Sequence, residues 1–494
     1  MHRSHVDGVL VLRYSEPGPL HATLRFGVGT RDETYRTLGV SRLVAAQAVR
    51  TTRQHRPERD RLVASGGPEE TRFTVSGTPE EVSDCLEALC RALSDPRVGE
   101  PGDVGDLFDG EDTGSLDPRA AGALNGRFGS QAVGLEGHKD SRSGPPTADM
   151  LLTHASRWFT RTNAVLTLTG PDPVGLRLPL PSGERPRRTA PQARYPRASW
   201  THRDIEGVAL SVEAPTGSAA VEVAHLILRE RVTAALAARS TPAGSAAPAE
   251  SAEALHDSVT VVRLLLVPAA ADAVESVAAT VWSEAVRLSK EDPTPDEVAR
   301  HTASRGGATG RSRTLEDAAR GELFGTPCLD DGSRRRALEC VTPQGVRESW
   351  QRVMGHAQLV VPTGTLLHLA GQDGRRLWCT SCWTWDEIPP HGEVFRASLP
   401  KRAFGRSAER HWMVLTTDSL VLCTPGACHR LRLDDVIAVE RWGPERNLIG
   451  RCGCSIGVDP AWYRGGHRLV RALDEAVPAE LAFDGVEHPE RDEP

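Results

Sequence analysis

The feature that most constrains the fold of this chain is an order of strand and helix patterns that occurs twice. In the first half, short apolar strand patterns at residues 9–12 and 20–26 precede amphipathic helix patterns, and a strand pattern at 164–168 closes the unit. In the second half, a strand pattern at 205–212 opens a unit that a strand pattern at 357–362 closes. Two α/β units of similar size and order predict an internal duplication, although their sequences share no strong identity.

Helix-start signals support both units. Thr78 precedes Pro79 and has Glu81 at the capping-box position, and Thr294 precedes a second proline-initiated helix pattern. Residues 99–126 are polar and rich in glycine and aspartate, so we predict a loop or at most a marginal helix there.

The length of 494 residues predicts about three domains. Proline-rich or irregular stretches set the boundaries. We predict a first α/β subdomain at 1–175, a Pro/Arg-rich linker at 176–199, a second α/β subdomain at 200–362, a linker at 363–393 and a β-rich domain at 394–494.

The sequence pattern of the C-terminal domain differs from that of the rest of the chain. Short strand patterns lie between residues 412 and 440, turn glycines recur after them, and a helix pattern at 467–476 precedes an acidic tail. A run of short strands followed by one helix resembles the pleckstrin-homology-like superfold. The likeness concerns fold alone and implies no ligand.

Charge and composition exclude several functions. The formal net charge is −7, which offers no electrostatic case for binding nucleic acid. No apolar run approaches the roughly 20 residues that a membrane span needs, and the apolar run at residues 9–12 is too short for a signal-peptide core. We therefore expect a soluble cytoplasmic protein whose ten cysteines are mostly free thiols.

The stretch from residue 24 to 47 carries the most specific pattern. A strand ends near Phe26, a turn follows at residues 29–33, and Gly39-Val40-Ser41 opens a helix for which Ser41 is the predicted N-cap. This stretch resembles the first zinc-site segment of the insulinase, pitrilysin and mitochondrial processing peptidase family. Further segments in the family's order carry the same likeness: 73–96, Arg127-Phe128-Gly129 with Gly134, 155–173 and 292–300.

The resemblance spans roughly residues 8–362 and implies a fold. Family members have two related α/β subdomains, each a sheet backed by helices, and two such halves close into a chamber that holds a peptide. The expected fold class is therefore α/β (α+β), with two homologous sheet-plus-helices subdomains followed by the small β-rich domain.

The same resemblance argues against catalysis. In the family the helix opens G-x-x-H-x-x-E-H; the two histidines bind zinc, the glutamate is the general base, and a glutamate from a second helix completes the metal site. The corresponding positions here are Arg42, Ala45 and Ala46. Arginine stays protonated and repels a cation, and alanine has no donor atom. We predict no zinc and no catalytic residue in this chain.

Two residues are candidate remnants of the lost site. Glu111 is the nearest match to the second-helix glutamate, although an acidic loop residue is an equally good reading. Arg239 matches an arginine that in active members precedes a substrate-binding tyrosine, but no tyrosine lies between Tyr195 and Tyr463. Loss of such oxyanion assistance agrees with a chain released from catalysis, and a solvated helix-end arginine is the preferred reading of Arg239.

Cysteines in the last quarter form a separate pattern. Cys379 and Cys382 make a CxxC pair, and Cys452 and Cys454 make a CxC pair. These four residues could hold a structural metal, but the spacing lacks a second CxxC, so buried or strand-edge thiols are the simpler interpretation.

The sequence thus predicts a non-catalytic subunit of a heterodimeric zinc peptidase. It would supply chamber wall and peptide-binding surface, while an active insulinase-like subunit would supply the zinc and the general base. The alternative is a stand-alone pseudoenzyme that binds a peptide or protein without any protease.

Overall fold

The computed structural model describes residues 1–55, 62–95, 116–138, 147–188, 190–191, 193–239, 249–255, 258–305, 311–328, 330–385, 391–398 and 411–485. These residues form two mixed sheets with their helices and a β-rich C-terminal part. Within this described part, no helix has both the length and the hydropathy that a bilayer crossing requires.

The first sheet has the strand order β1-β2-β6-β3-β5-β4. Strands β2 and β6 are parallel, and the other neighbours are antiparallel. Its strands and the helices of this half are β1 (His2–Val6), β2 (Val9–Ser15), β3 (Leu20–Phe26), α1 (Val40–His55), β4 (Val63–Gly66), β5 (Thr71–Gly77), α2 (Pro79–Ser94), α3 (Pro118–Phe128), α4 (Ala148–Trp158) and β6 (Ala164–Gly170).

The second sheet has the strand order β12-β7-β11-β8-β10-β9, with β11 parallel to β7. Its elements are β7 (Ser199–Arg203), β8 (Val208–Pro215), α5 (Ala219–Ala237), β9 (Glu250–Leu255), β10 (Thr260–Val267), α6 (Val274–Lys290), α7 (Pro295–Arg305), α8 (Arg311–Phe324), α9 (Asp331–Glu339), α10 (Pro343–Met354), β11 (Gln358–Pro362) and β12 (Trp378–Cys379).

The two sheets have the same topology. Position by position, β2, β6, β3, β5 and β4 of the first correspond to β7, β11, β8, β10 and β9 of the second, with the same strand directions. The duplication predicted from the order of patterns is therefore visible in the strand pairing. Only the outer edges differ, because β1 is antiparallel to its neighbour and β12 is parallel.

Each sheet is covered on one face by helices of its own half. Leu43 of α1, Leu86 of α2 and Leu151 of α4 pack with Leu24 and Leu166 of the first sheet in one buried cluster. The equivalent layer of the second sheet is built from α5, α6 and α10, with Trp350 fully buried at its centre.

The opposite face of each sheet is covered by a helix from the other half. Helix α8 packs against β2 and β6, where Leu315 and Ala319 contact Leu12 and Val165. Helix α3 packs in turn on the second sheet. This exchange joins the two halves through buried surface rather than through the linker alone.

Helix α3 corrects the C-terminal part of the prediction of a loop or marginal helix at 99–126; residues 99–115 lie outside the described residues. The residues 118–128 are helical and buried almost throughout. Small residues produce this close contact: a Cβ on Gly122 would lie 2.2 Å from Cγ2 of Ile205. An apolar face built of alanine and glycine gives only a weak periodic signal in the sequence, which explains the error.

The C-terminal part forms two further sheets and a helix. The five-stranded sheet has the order β13-β17-β16-β15-β14 and the four-stranded sheet the order β20-β19-β18-β21, and α11 packs with both in one core. The elements are β13 (Trp383–Trp385), β14 (Glu393–Arg396), β15 (Trp412–Leu415), β16 (Ser419–Thr424), β17 (Ala427–Arg432), β18 (Val436–Trp442), β19 (Glu445–Gly450), β20 (Ser455–Val458), α11 (Gly466–Ala476) and β21 (Ala482–Asp484).

The segment 363–393, predicted as a linker, contributes to two sheets. Strand β12 extends the second sheet, and β13 forms an edge of the five-stranded sheet. These strands have only two and three residues, so no alternating pattern was available to predict them.

The C-terminal part is fastened to the rest by a turn between β19 and β20. The carbonyl oxygen of Cys452 accepts hydrogen bonds from Nη1 of Arg194 at 2.7 Å and Nη2 of Arg203 at 2.8 Å. Ser130 donates from Oγ to the carbonyl of Gly450 at 2.9 Å. The turn therefore contacts the linker, the second sheet and the segment after α3 at once.

Candidate functional site

The start of α1 is held by a buried carboxylate. Glu33 accepts hydrogen bonds from the backbone amides of Gly39 at 2.6 Å and Ser41 at 2.8 Å. Burial raises the pKa of Glu33 to about 7, against the opposing effect of these hydrogen bonds. Ser41 is not the N-cap that the sequence predicted. It lies inside the helix, and its Oγ pairs with Nε2 of the buried His154 at 2.9 Å.

The positions that the family resemblance assigns to the zinc motif lie on the first turns of this helix. Arg42 is half-buried, and its side chain runs beside Gly66 of β4, where an added Cβ would lie 3.1 Å from Cγ of Arg42. Ala45 is 3% exposed and belongs to the hydrophobic core of the first half. Ala46 is half-buried beside it. The helix thus packs through one of the positions that would have carried catalytic chemistry.

These residues do not fit the zinc ion that this type of scaffold implies. A guanidinium and two methyl groups offer no lone pair to a metal. In the described ranges, no three His, Cys, Asp or Glu side chains cluster near α1; the group of this kind found there consists of cysteines in the C-terminal part. Glu111, the candidate second-helix ligand, lies outside the described residues.

Arg239 lies at the exposed end of α5, and its Nη1 donates a hydrogen bond to Oγ1 of Thr280 at 2.6 Å. It borders an open cavity of about 970 Å³ between the start of α3 and the start of α6. Charged groups dominate the polar part of the lining: Asp117, Arg119, Asp204, Glu206 and Arg239. Asp117 and Arg119 are already paired with each other at 2.6 Å.

The edge strand β4 runs alongside α1. It is last in its sheet, and β5 is its strand partner among the residues that the structure covers. Val63 on this strand is 46% exposed, which is unusual for valine. An edge strand with an exposed apolar side chain is a surface on which another chain can pair.

The structure brings three of the four candidate metal-binding cysteines together. The sulfur atoms of Cys382, Cys452 and Cys454 all lie within 4.8 Å of one another, and the last two are 2.6 Å apart. Cys379 is not part of this group, because it lies on β12 in the second sheet. Hydrogen bonds from Cys452 and Cys454 lower the pKa of Cys382, and they raise the pKa of the two donating thiols.

Sequence reasoning missed one residue beside these sulfurs. His429 on β17 is 4% exposed, and its Nε2 atom is buried and makes no hydrogen bond within the part of the chain that the structure describes. Its ring stacks on Trp383, the residue after Cys382, at 5.0 Å between centroids. The Cys428-His429 pair was visible in the sequence, but only strand pairing shows that the histidine is adjacent to Cys382.

Comparison with known proteins identifies the scaffold. No protein-family profile matches the sequence, and no curated protein matches it either. Solved structures do match. The M16 peptidase inactive domain from Pseudomonas fluorescens is 14% identical with a TM-score of 0.55, and the match covers 74% of this chain and 98% of that one.

Two proteases match to a similar extent. The first half of the periplasmic protease PqqL from Escherichia coli is 13% identical with a TM-score of 0.54, over 73% of this chain and 91% of that one. A protease from Helicobacter pylori is 13% identical with a TM-score of 0.56, over 73% of this chain and 98% of that one. Together with the duplicated sheets, these matches show that the chain has the fold of the insulinase-like, M16 peptidases, extended by a β-rich C-terminal region.

Proposed function

We propose that this chain is a non-catalytic insulinase-like protein that acts as one subunit of a heterodimeric zinc peptidase. The observation that carries the proposal is the state of α1: an intact scaffold surrounds it, but Arg42 and Ala46 offer no metal ligand and Ala45 is buried in the core. A scaffold of this size that lacks the zinc ligands is best explained by a role in binding other chains through its surface, without zinc-dependent hydrolysis.

In this proposal the catalytic partner is an active insulinase-like subunit. It supplies the zinc ion and the general base, while this chain supplies half of the chamber wall. The P. fluorescens neighbour, described as an inactive domain of an M16 peptidase, supports the idea that this fold occurs without catalysis. No cofactor is expected in the chamber face of this chain.

The surface that we assign to peptide binding is the outer edge of β4. An extended peptide would add to this edge by main-chain hydrogen bonds, and side chains near Val63 would contact it. Arg42 lies beneath the end of the same strand, next to Gly66.

Co-expression with an intact HxxEH homologue tests this function. The two chains should co-purify as a stable one-to-one complex, and a fluorescent peptide should bind the complex more tightly than either chain alone. The V63D variant should weaken peptide binding, because a carboxylate on the edge opposes strand addition. The matched control is V174D, at another exposed valine far from α1 in sequence. A chain that stays monomeric beside every such homologue contradicts the proposal.

The alternative is a stand-alone pseudoenzyme that binds a peptide or protein without a protease. One observation favours it: the three matched structures cover 73–74% of this chain, and chamber formation alone does not explain the two further sheets of the C-terminal region. A pull-down that recovers partners but no peptidase would select this alternative.

A further inference from the structure

We propose that Cys382, His429, Cys452 and Cys454 bind a structural zinc ion that locks the C-terminal region onto the peptidase-like scaffold. The ligand set is three thiolates and one imidazole, which is a common combination for closed, four-coordinate zinc. This site is separate from the lost zinc motif on α1, and it does not depend on the proposed heterodimer.

The sulfur positions suit one small ion. A tetrahedral zinc with Zn–S bonds of about 2.3 Å requires sulfurs roughly 3.8 Å apart. The three sulfurs lie within 4.8 Å of one another, a spacing too small for an iron–sulfur cluster. Cys452 and Cys454 are 2.6 Å apart, longer than a disulfide bond of about 2.05 Å. Small movements of these two thiols would open the space for the ion.

We assign His429 as the fourth ligand because its Nε2 atom is buried and makes no hydrogen bond among the described residues. Its ring nitrogens are not part of the group of atoms within 4.8 Å that the three sulfurs form, so the imidazole must move closer as the ion binds. A buried ring nitrogen that makes no hydrogen bond costs free energy, and a metal would satisfy it. Its neighbour on the adjoining strand is Trp383, paired with it in the β13–β17 register, and the backbone amide of Arg430 donates to the carbonyl of Cys382 at 3.2 Å.

The surroundings match the charge that such a site carries. Three thiolates and one Zn²⁺ leave a net charge of about −1. Arg194 donates from Nη2 to the Cys382 sulfur at 3.9 Å, and both Arg194 and Arg203 donate to the carbonyl of Cys452. Cations that hydrogen-bond to a ligand sulfur and to the ligand loop stabilise a negative metal centre and orient its ligands.

The four ligands come from three separate places in the chain. Cys382 precedes β13, His429 lies on β17, and the CxC pair forms the turn between β19 and β20. An ion held by all four therefore ties the five-stranded sheet to the four-stranded one. It also fixes the turn that contacts Arg194, Arg203 and Ser130. Removing the ion should loosen the C-terminal region and leave the two large sheets folded.

Metal analysis of the full chain tests the site. Protein made in zinc-supplemented medium and purified without chelator should carry about one zinc per chain. The variants C454S and H429A should lose at least about tenfold in zinc content. C379S, which removes the other half of the CxxC pair but no ligand, is the matched control and should keep its zinc. H429C, which exchanges one zinc ligand for another, should restore binding relative to H429A.

A second measurement uses the wild-type protein alone, so that a variant that fails to fold does not decide the outcome. Exchange of zinc for Co²⁺ should produce the thiolate-to-cobalt charge-transfer absorption and the visible bands of tetrahedral cobalt. Wild-type protein with less than about 0.1 zinc per chain and no cobalt spectrum would overturn the proposal. So would loss of zinc from C379S equal to that from C454S, or a Cys452–Cys454 disulfide found in freshly purified protein.

Discussion

A single glycine tests how the C-terminal region is attached. Gly453 has a φ of +86°, and a Cβ there would lie 2.2 Å from Oδ1 of Asn125 on α3. Gly426, in the β16–β17 hairpin, has a nearly equal φ of +87°, but no atom of the described residues lies within 4 Å of a Cβ placed there. Both alanine variants carry the strain of a positive φ, about 1–2 kcal/mol. Only Gly453→Ala also carries the contact with α3.

The extra cost follows from the rigidity of Asn125. Its Oδ1 accepts a hydrogen bond from Nε of Arg203 at 2.6 Å, and its Nδ2 donates to the carbonyl of Gly134 at 3.0 Å. A side chain held at both ends cannot move aside cheaply, so overpacking should add about 1–3 kcal/mol. We expect a total of roughly 2–5 kcal/mol for Gly453→Ala against about 1–2 kcal/mol for Gly426→Ala.

The assay is denaturant unfolding of the C-terminal region followed by tryptophan fluorescence, in a double-mutant cycle with Asn125→Ala. That change removes the side-chain oxygen that the methyl group introduced by Gly453→Ala would meet. The double variant should therefore be more stable than the sum of the two single effects by about 1–2 kcal/mol. Equal losses for Gly453→Ala and Gly426→Ala, or strict additivity with Asn125→Ala, would refute the packing of this turn against α3.

Three further outcomes are expected. Ala45→Glu should destabilise the first half by about 2–3 kcal/mol, because it buries a carboxylate in the core and an i,i+3 pair with Arg42 offsets only a few tenths of a kcal/mol. Ala46→Glu, at the half-buried neighbouring position, should cost less than about 1 kcal/mol. Equal melting temperatures of the two variants would contradict the packing role of α1. Glu33 has a folded pKa of about 7 against an ordinary 4.5. Its contribution to the free energy of unfolding is therefore fully present below pH 4.5 and falls by roughly 3 kcal/mol as the pH rises to 7. The melting temperatures of wild type and Glu33→Gln should converge or cross over this interval, and a constant difference between them would show that Glu33 does not titrate there. Val63→Asp, compared with Val174→Asp, should reduce peptide affinity about tenfold without changing the melting temperature by more than a few degrees; equal affinities would remove the β4 edge as the binding surface.

Prediction from the sequence was most successful where apolar residues recur at regular spacing over a long helix or strand pattern. The duplicated order of strands and helices, the capping box at Thr78, the proline-initiated helix after Thr294, and the helix that carries Arg42 and Ala45 are all observed. These features depend on local chemistry and on regular apolar spacing, which one sequence contains. The M16-like fold was predicted from the resemblance of segments such as 24–47, 73–96 and 155–173 to the insulinase-like family.

The rest depended on contacts distant in the chain. Helix α3 was not predicted because its packing face is made of alanine and glycine. These small residues allow close contact with Ile205 of the second half, and that contact is not visible in the sequence. Glu33 replaced Ser41 as the group that holds the start of α1 because a loop folds its carboxylate back onto the helix. His429 joined the cysteines in place of Cys379 because strand pairing, and not sequence spacing, brings it to Cys382.

In the proposed function, this scaffold contributes to peptide cleavage without performing the chemistry. The most direct measurement is kcat/KM of an intact HxxEH homologue on a fluorogenic peptide, titrated with this chain. We predict that kcat/KM rises at least about tenfold and saturates at one chain per catalytic subunit, while this chain alone shows no zinc-dependent cleavage. An unchanged kcat/KM at all ratios, or chelator-sensitive cleavage by this chain alone, would contradict a role as the non-catalytic subunit.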